Sequence, residues 1–287
     1  HTNIVKITEN DSVVWEKAVE AEKRGEEVPL IHRYTLAQLY DYVQTVPIEE
    51  LYFIRKAFAT NLTLFEAGLN SPKTSFVRYL LAANGGNIIS GDERKTASLL
   101  CNAAIEARVL GLPEPAMIVT GSGAHGIIAT MPLYAAYRVS GYREENLLRA
   151  TALSCLVCMY IKEYSGKLSA FCGCAIAAGT GMACGLTLLR GGTAETMAHV
   201  IDNLAGSITG MICDGGNQGC TMKGVVAVDA AWQAVDMAMW GVSISNIHGI
   251  CGATPEETMR NMGRIASPGM VGTEKTILDI LEEKKEV

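Results

Sequence analysis

The stretch from Leu168 to Leu189 runs for 22 positions without a charged residue. It is long enough to cross a bilayer if length were the only criterion. Its letters, LSAFCGCAIAAGTGMACGLTLL, are mostly Ala, Gly, Cys, Ser and Thr, with Leu and Ile thin. Such a segment gains little by transfer into lipid. Small side chains instead allow close backbone approach, so the stretch predicts a buried central helix of a helical protein. No membrane association is expected.

The remainder of the chain must cover that helix, and its composition permits this. Of 287 residues, 49% are hydrophobic and 19% charged, which excludes a disordered segment and allows a sizeable core. Aromatics make up only 6%, while Gly numbers 29 and Met 12, a balance that favours closely packed helices over a β-sandwich. Lys and Arg total 24 against 30 acidic residues, net −6, so no summed positive field exists to attract nucleic acid.

Thr2 to Ile7 alternates apolar and polar residues, residues 9–11 read as a turn, and Ser12 to Lys17 repeats a strand-like run. A β-hairpin is predicted there. Two strands bury little alone, so the hairpin needs covering helices or further strands upstream. Residues 18–29 are charged and linker-like. Helical spacing begins at Thr35 with Leu36, Leu39, Tyr40 and Val43, and continues through Ile48 to Phe65. Further helices are predicted at Arg94–Leu110, His125–Val139, Glu144–Ile161, Leu168–Leu189, Thr193–Ser207, Gly219–Trp240, Pro255–Asn261 and Lys275–Glu283. Thr193 and Thr254-Pro255-Glu256-Glu257 supply hydroxyl caps and, in the second case, acids suited to a helix start.

Nine cysteines stand at 101, 155, 158, 172, 174, 184, 213, 220 and 251. An odd number in apolar surroundings, with no signal peptide at the start, argues against a secreted disulfide framework and for a cytoplasmic location. Cys155 and Cys158 form C-x-x-C inside an apolar helical pattern, where they are expected as core residues on one face and not as a redox pair. Cys101, Cys184 and Cys251 read likewise. His199 and His248 lie on predicted helices and are read as structural.

Cys172-Gly-Cys174 and Cys213-Asp-Gly-Gly-Asn-Gln-Gly-Cys220 differ because they are embedded in glycine, which lets backbone approach a bulky inorganic group. Residues two apart on a helix diverge by about 200°, so Cys172 and Cys174 share a site only if the helix begins after them. Cys213 and Cys220 bracket a loop short enough to fold back on itself. Zinc fits less well, because neither segment has knuckle spacing. An iron-sulfur cluster accepts widely spaced thiolates and, with three of them, leaves one iron open as a Lewis acid. Thr120-Gly-Ser-Gly-Ala-His125-Gly126 reads as an anion-binding turn at a helix start, with the Ser122 hydroxyl and His125 imidazole at hand, or as an ordinary capping turn with a surface His. Lys167 precedes Cys172 by five residues and is a candidate partner for a carboxylate, or a solvated side chain.

The runs SAFCGCAIAAGTG, MICDGGNQGCTMKG, TGSGAHGI and EETMRNMGRIASPGMVGTEKTILDI resemble the serine dehydratase alpha-chain-like family that includes L-cysteine desulfidase. The resemblance covers nearly the whole chain. It implies a four-iron four-sulfur enzyme without pyridoxal phosphate, which removes a β substituent and ammonia from a small L-amino acid to leave pyruvate. Carried onto this sequence, Cys174 and Cys213 fall where the family's cluster cysteines stand, with Cys172 as alternate for the first and Cys220 as a third candidate. Longer members carry an upstream Gly-Cys-Thr-Glu-Pro segment whose Cys supplies a further ligand. Nothing here matches it, and Gly111-Leu-Pro-Glu-Pro115 has no Cys. Together with the start at His1, this sets the expectation that an N-terminal segment is missing and that the chain is a fragment, which leaves open whether it is active.

The expected architecture is therefore mainly α with a small N-terminal β-hairpin, part of a larger α+β protein. Residues 1–30 are read as hairpin and linker, the remnant of an N-terminal domain, and 31–287 as a helical iron-sulfur domain. The expected reaction is L-cysteine desulfidation, with L-serine dehydration as the alternative and a non-catalytic thiol-rich metal-binding or redox module as a third reading. The chemistry is expected from His125 as base, with Ser122 and Lys167, around thiolates of Cys174, Cys213 and Cys220. A homodimer is an expected assembly.

Overall fold

The computed structural model describes residues 4–17, 28–166 and 169–284. Among them are eleven α-helices and one two-stranded antiparallel sheet, the mainly α architecture with a small hairpin that the sequence predicts. No helix among the described residues is long and apolar enough to cross a membrane.

Strands β1 (Lys6–Glu9) and β2 (Ser12–Glu16) pair with Lys6 opposite Glu16. Asn10 and Asp11 take positive φ between them, the geometry a tight hairpin turn requires. Every residue of both strands is exposed, so the hairpin contributes nothing to the core.

The helical body begins with α1 (Leu36–Thr45), started by a reciprocal capping box between Thr35 and Gln38. A 3-10 stretch at Ile48–Ile54 leads into α2 (Arg55–Asn70). Helix α3 (Phe76–Ala83), which the pattern did not single out, has no side-chain cap from its own N-cap residue. Its free N–H groups are satisfied from elsewhere: the buried Glu106 carboxylate accepts from the backbone of Ser75, Phe76 and Val77 at 2.8, 3.2 and 3.0 Å. Negative charge at a helix N-terminus is favourable, and three hydrogen bonds compensate its burial.

Glu106 belongs to α4 (Glu93–Val109), which with α5 (Gly123–Ser140), α6 (Glu144–Ser165) and α7 (Gly179–Leu189) forms the centre. Helix α7 packs against α5, α6, α8 (Ala194–Ile208) and α9 (Gly219–Met239). Gly181 shows why small residues dominate there: a methyl group on it would overlap the Ser154 carbonyl of α6. The chain closes with α10 (Pro255–Arg264) and α11 (Val271–Glu283). Thr193 and Thr254 cap α8 and α10 through their hydroxyls, as the sequence predicts.

Two expectations are corrected. The charge-free run is not one helix from Leu168: Leu168 itself lies outside the described residues, and helical structure starts at a π-turn over Cys174–Ala178 that continues into α7. Residues 170–172 are instead extended and pair with 211–213, because Cys172 N–H donates to Met211 O and Cys213 N–H to Ala170 O, both at 2.7 Å. An apolar run satisfies its backbone equally well across such a bridge as along a helix, and the partner lies too far away in sequence to be seen. His248 sits in a turn and not on a helix, since α9 ends at Met239 and α10 starts at Pro255.

Candidate functional site

Four of the nine cysteines gather where the π-turn, the 211–213 bridge and the start of α9 meet. The bridge sets Cys172 beside the segment carrying Cys213, and Cys220 occupies the first turn of α9. The loop between Cys213 and Cys220 is pinned by an ion pair between Asp214 and Lys223, which holds the Asp214 carboxyl below its usual range. Cys220 Sγ lies 3.4 Å from the Gly215 carbonyl. The thiols of Cys172, Cys213 and Cys220 all act electrostatically on Cys174.

The helical turn begins at Cys174 itself and not after it, as the sequence reading required, yet the two cysteines share a site because Cys172 lies before the turn in the extended bridge. Their thiols are in contact: hydrogen bonding from Cys174 holds Cys172 down to about 6, against burial and with help from nearby backbone N–H groups and Lys223. Cys174, which keeps the shared proton in a buried setting, is pushed well up. One thiolate is thus stored in the pair. The other cysteines behave as core residues. Burial pushes Cys155 and Cys184 up to about 12 and Cys101 and Cys158 higher.

His125 lies in the first turn of α5 and is 4% exposed, so it is not a surface histidine. Its Nδ1 stands 2.6 Å from Thr120 Oγ1, whose own hydroxyl donates to the Val119 carbonyl at 2.8 Å. Since the Thr120 proton is committed to that carbonyl, the imidazole donates from Nδ1 and carries its lone pair on Nε2. Thr120 and Gly121 take φ of 51° and 82° to make this turn. Burial, then the positive charges of Lys162 and Arg108, lower His125 to about 4.

His125 Nε2 faces Gly173, between the paired cysteines. A side chain on residue 173 would begin 2.7 Å from Nε2 and 3.2 Å from Lys162 Nζ, so only glycine leaves this approach open. Lys162, on α6, is 4% exposed and donates to Ser169 Oγ at 3.2 Å. Burial pulls it down from the ordinary lysine range. Nothing in the sequence reading marked this residue, yet a signal was present: Cys155, Cys158 and Lys162 stand at i, i+3 and i+7, one helical face, so a lysine there must point inward.

Of the other candidates, Ser122 is the backbone N-cap of α5 and makes no side-chain capping bond. The histidine's hydrogen-bond partner is Thr120 in its place. Lys167 lies outside the described residues.

The donor set is sulfur-rich and glycine-lined. Among the described residues, no three His, Cys, Asp or Glu side chains are drawn together tightly enough to hold a single metal ion. Four thiols within electrostatic reach of one another but not converged on one point fit a polynuclear iron-sulfur group in kind, since such groups take thiolates brought from separate segments.

The family model for the serine dehydratase alpha chain matches residues 9–279, and the chain belongs to that family. A UPF0597 protein of Clostridium botulinum is 40% identical over 289 residues, covering 99% of this chain and 67% of the relative. A UPF0597 protein of Clostridium tetani is 35% identical over 287 residues, 99% of this chain and 66% of its own length. One from Methanocella arvoryzae is 37% identical over 248 residues, 86% of this chain and 58% of its own. The chain thus spans about two thirds of the length of the Clostridium relatives. The family supports a dehydratase-type lyase function in amino-acid catabolism and points to a cluster of the iron-sulfur kind, while the relatives' names carry no substrate.

Proposed function

We propose that the protein is a β-eliminating lyase that converts a small L-amino acid to pyruvate and ammonia. The observation that carries this reading is the neutral His125 Nε2, fixed in tautomer by Thr120 and aimed across Gly173 at a cluster of thiols.

In this reading Cys213, Cys220 and Cys174, with Cys172 as the alternate to Cys174, hold a four-iron four-sulfur cluster. When bound, such a group with one iron free of protein ligands supplies Lewis-acid polarisation of the leaving heteroatom. The protein's own part is acid–base chemistry. At neutral pH the imidazole needs no prior deprotonation, and its lone pair takes the α proton. The Cβ–S or Cβ–O bond then breaks, with its electron pair leaving on sulfur or oxygen. An imidazolium in a site that favours the neutral form by this much is a strong acid, so it returns the proton to the departing HS⁻ or HO⁻. The resulting enamine tautomerises to an imine, and water releases ammonia and pyruvate.

L-Cysteine, which would release sulfide, is our first substrate. L-Serine, which would release water, is the second reading, favoured by the description of the family itself. Anaerobic cluster reconstitution followed by assays for pyruvate and sulfide with both amino acids tests this. Pyruvate from either is the expected result, with sulfide from cysteine. No pyruvate from either would overturn the assignment.

A further inference from the structure

We propose that the Lys162 ammonium anchors the substrate's α-carboxylate and thereby sets the α-carbon beside His125 Nε2. This rests on the β-elimination reading above and names the group that recognises the amino acid.

Two acidic or basic side chains other than histidine are buried among the described residues, Glu106 and Lys162. Glu106 is satisfied by the three amides of α3 and by the Ser75 hydroxyl. Lys162 has three donors to place, and its one hydrogen bond among the described residues goes to the neutral Ser169 hydroxyl. The Phe171 ring, its centroid 5.6 Å from Nζ, lends only a weak attraction. Other half-buried cations carry acidic partners: Arg190 pairs with Glu93 and Asp236, and Lys223 with Asp214. The thiols of Cys158, Cys174, Cys213 and Cys172 act on it electrostatically, but no carboxylate pairs with it among the described residues, and a desolvated ammonium without a hydrogen-bonded carboxylate is costly. A carboxylate arriving with the ligand completes its set of partners.

The position says which part of the ligand it meets. Nζ and His125 Nε2 both flank the point where a side chain on Gly173 would start, at 3.2 and 2.7 Å. A carboxylate bonded to Nζ carries its α-carbon only one bond further, toward the imidazole lone pair. The arrangement selects compounds with a carboxylate on the carbon that is deprotonated, which cysteamine and ethanolamine lack.

Anaerobic calorimetry with L-serine, L-cysteine, ethanolamine and cysteamine on the wild-type, Lys162→Met and Lys162→Gln proteins tests the proposal, with thermal unfolding alongside. L-Serine binding should weaken roughly 10- to 100-fold in both variants, while the two amines bind equally to all three proteins. Lys162→Met should unfold at or above the wild-type temperature, because an apolar chain replaces a buried charge that no carboxylate pairs. The glutamine variant gives the same reading if the methionine variant does not fold. Undiminished L-serine binding in the variants overturns the proposal. So does an equal loss of L-serine and ethanolamine binding together with a lower unfolding temperature, the signature of a lysine that only supports the thiol site. Lys162-dependent amino-acid binding without pyruvate formation would sink the reaction assignment and keep the anchor. A wild-type protein that binds neither amino acid would remove both.

Discussion

The two closely spaced cysteine pairs have opposite chemistry. Cys155 and Cys158 sit in mid-α6 with every nearby amide already committed to the helix, and burial raises both thiols. Cys172 and Cys174 stand where a helical turn begins, next to uncommitted N–H groups and Lys223, and the pair stores a thiolate. The contrast teaches that where a cysteine lies relative to a helix start, and not its spacing from another cysteine, decides its reactivity.

The largest expected effect measures that contrast directly. With the Cys172–Cys174 pair giving up one proton well below the usual thiol range and burial raising Cys155, the pair should carry thiolate at pH 7.5 and Cys155 essentially none. Titration by ultraviolet thiolate absorbance should show a step near pH 6 that vanishes in Cys172→Ser and persists in Cys155→Ser.

Glycines sharpen the comparison next. Gly173→Ala places a methyl against His125 Nε2 and should lower turnover roughly 100-fold with little change in stability. Gly181→Ala, in the packed half of the same segment, should do the reverse. Overlap with α6 is expected to cost about 1–3 kcal/mol in urea unfolding, with activity kept per folded molecule.

Acid exposes the site in a third way. The folded His125 titrates at about 4, below the ordinary 6.5 of an unfolded chain. On acidification the unfolded form therefore takes up the proton first, so stability present above pH 6.5 is lost as pH falls toward 4. Between pH 7 and 4.5 this amounts to roughly 2–3 kcal/mol, and His125→Asn should show that much less acid sensitivity in urea unfolding. The smallest effect belongs to the partly exposed ion pair of the loop. Asp214→Asn should cost less than about 1 kcal/mol, while loosening Lys223 raises the midpoint of the Cys172 step.

Local rules made much of the fold readable. Hydroxyl caps at Thr193 and Thr254 and an apolar face through Cys158 depend on residues within one helical turn, and the structure has them. What stayed hidden depends on partners far away in sequence. Glu106 starts a helix some thirty residues before it, and the 170–172 segment is held extended by 211–213. The glycine-bordered cysteines and His125 were legible as chemistry, but their meeting point was not. Lys162 was the opposite case: its inward direction follows from helical periodicity, whereas the sequence points to Lys167 by its position five residues before Cys172.

The bridge between Cys172 and Cys213 also works as a buckle. Each sulfur-bearing stretch lends a carbonyl to the other's amide, so neither unfastens without leaving its opposite number's N–H stranded in an apolar interior. Local opening there is a shared event. Deuterium reaching one of those two amides should reach the other at the same rate, and anything that threads in beside one sulfur gains both.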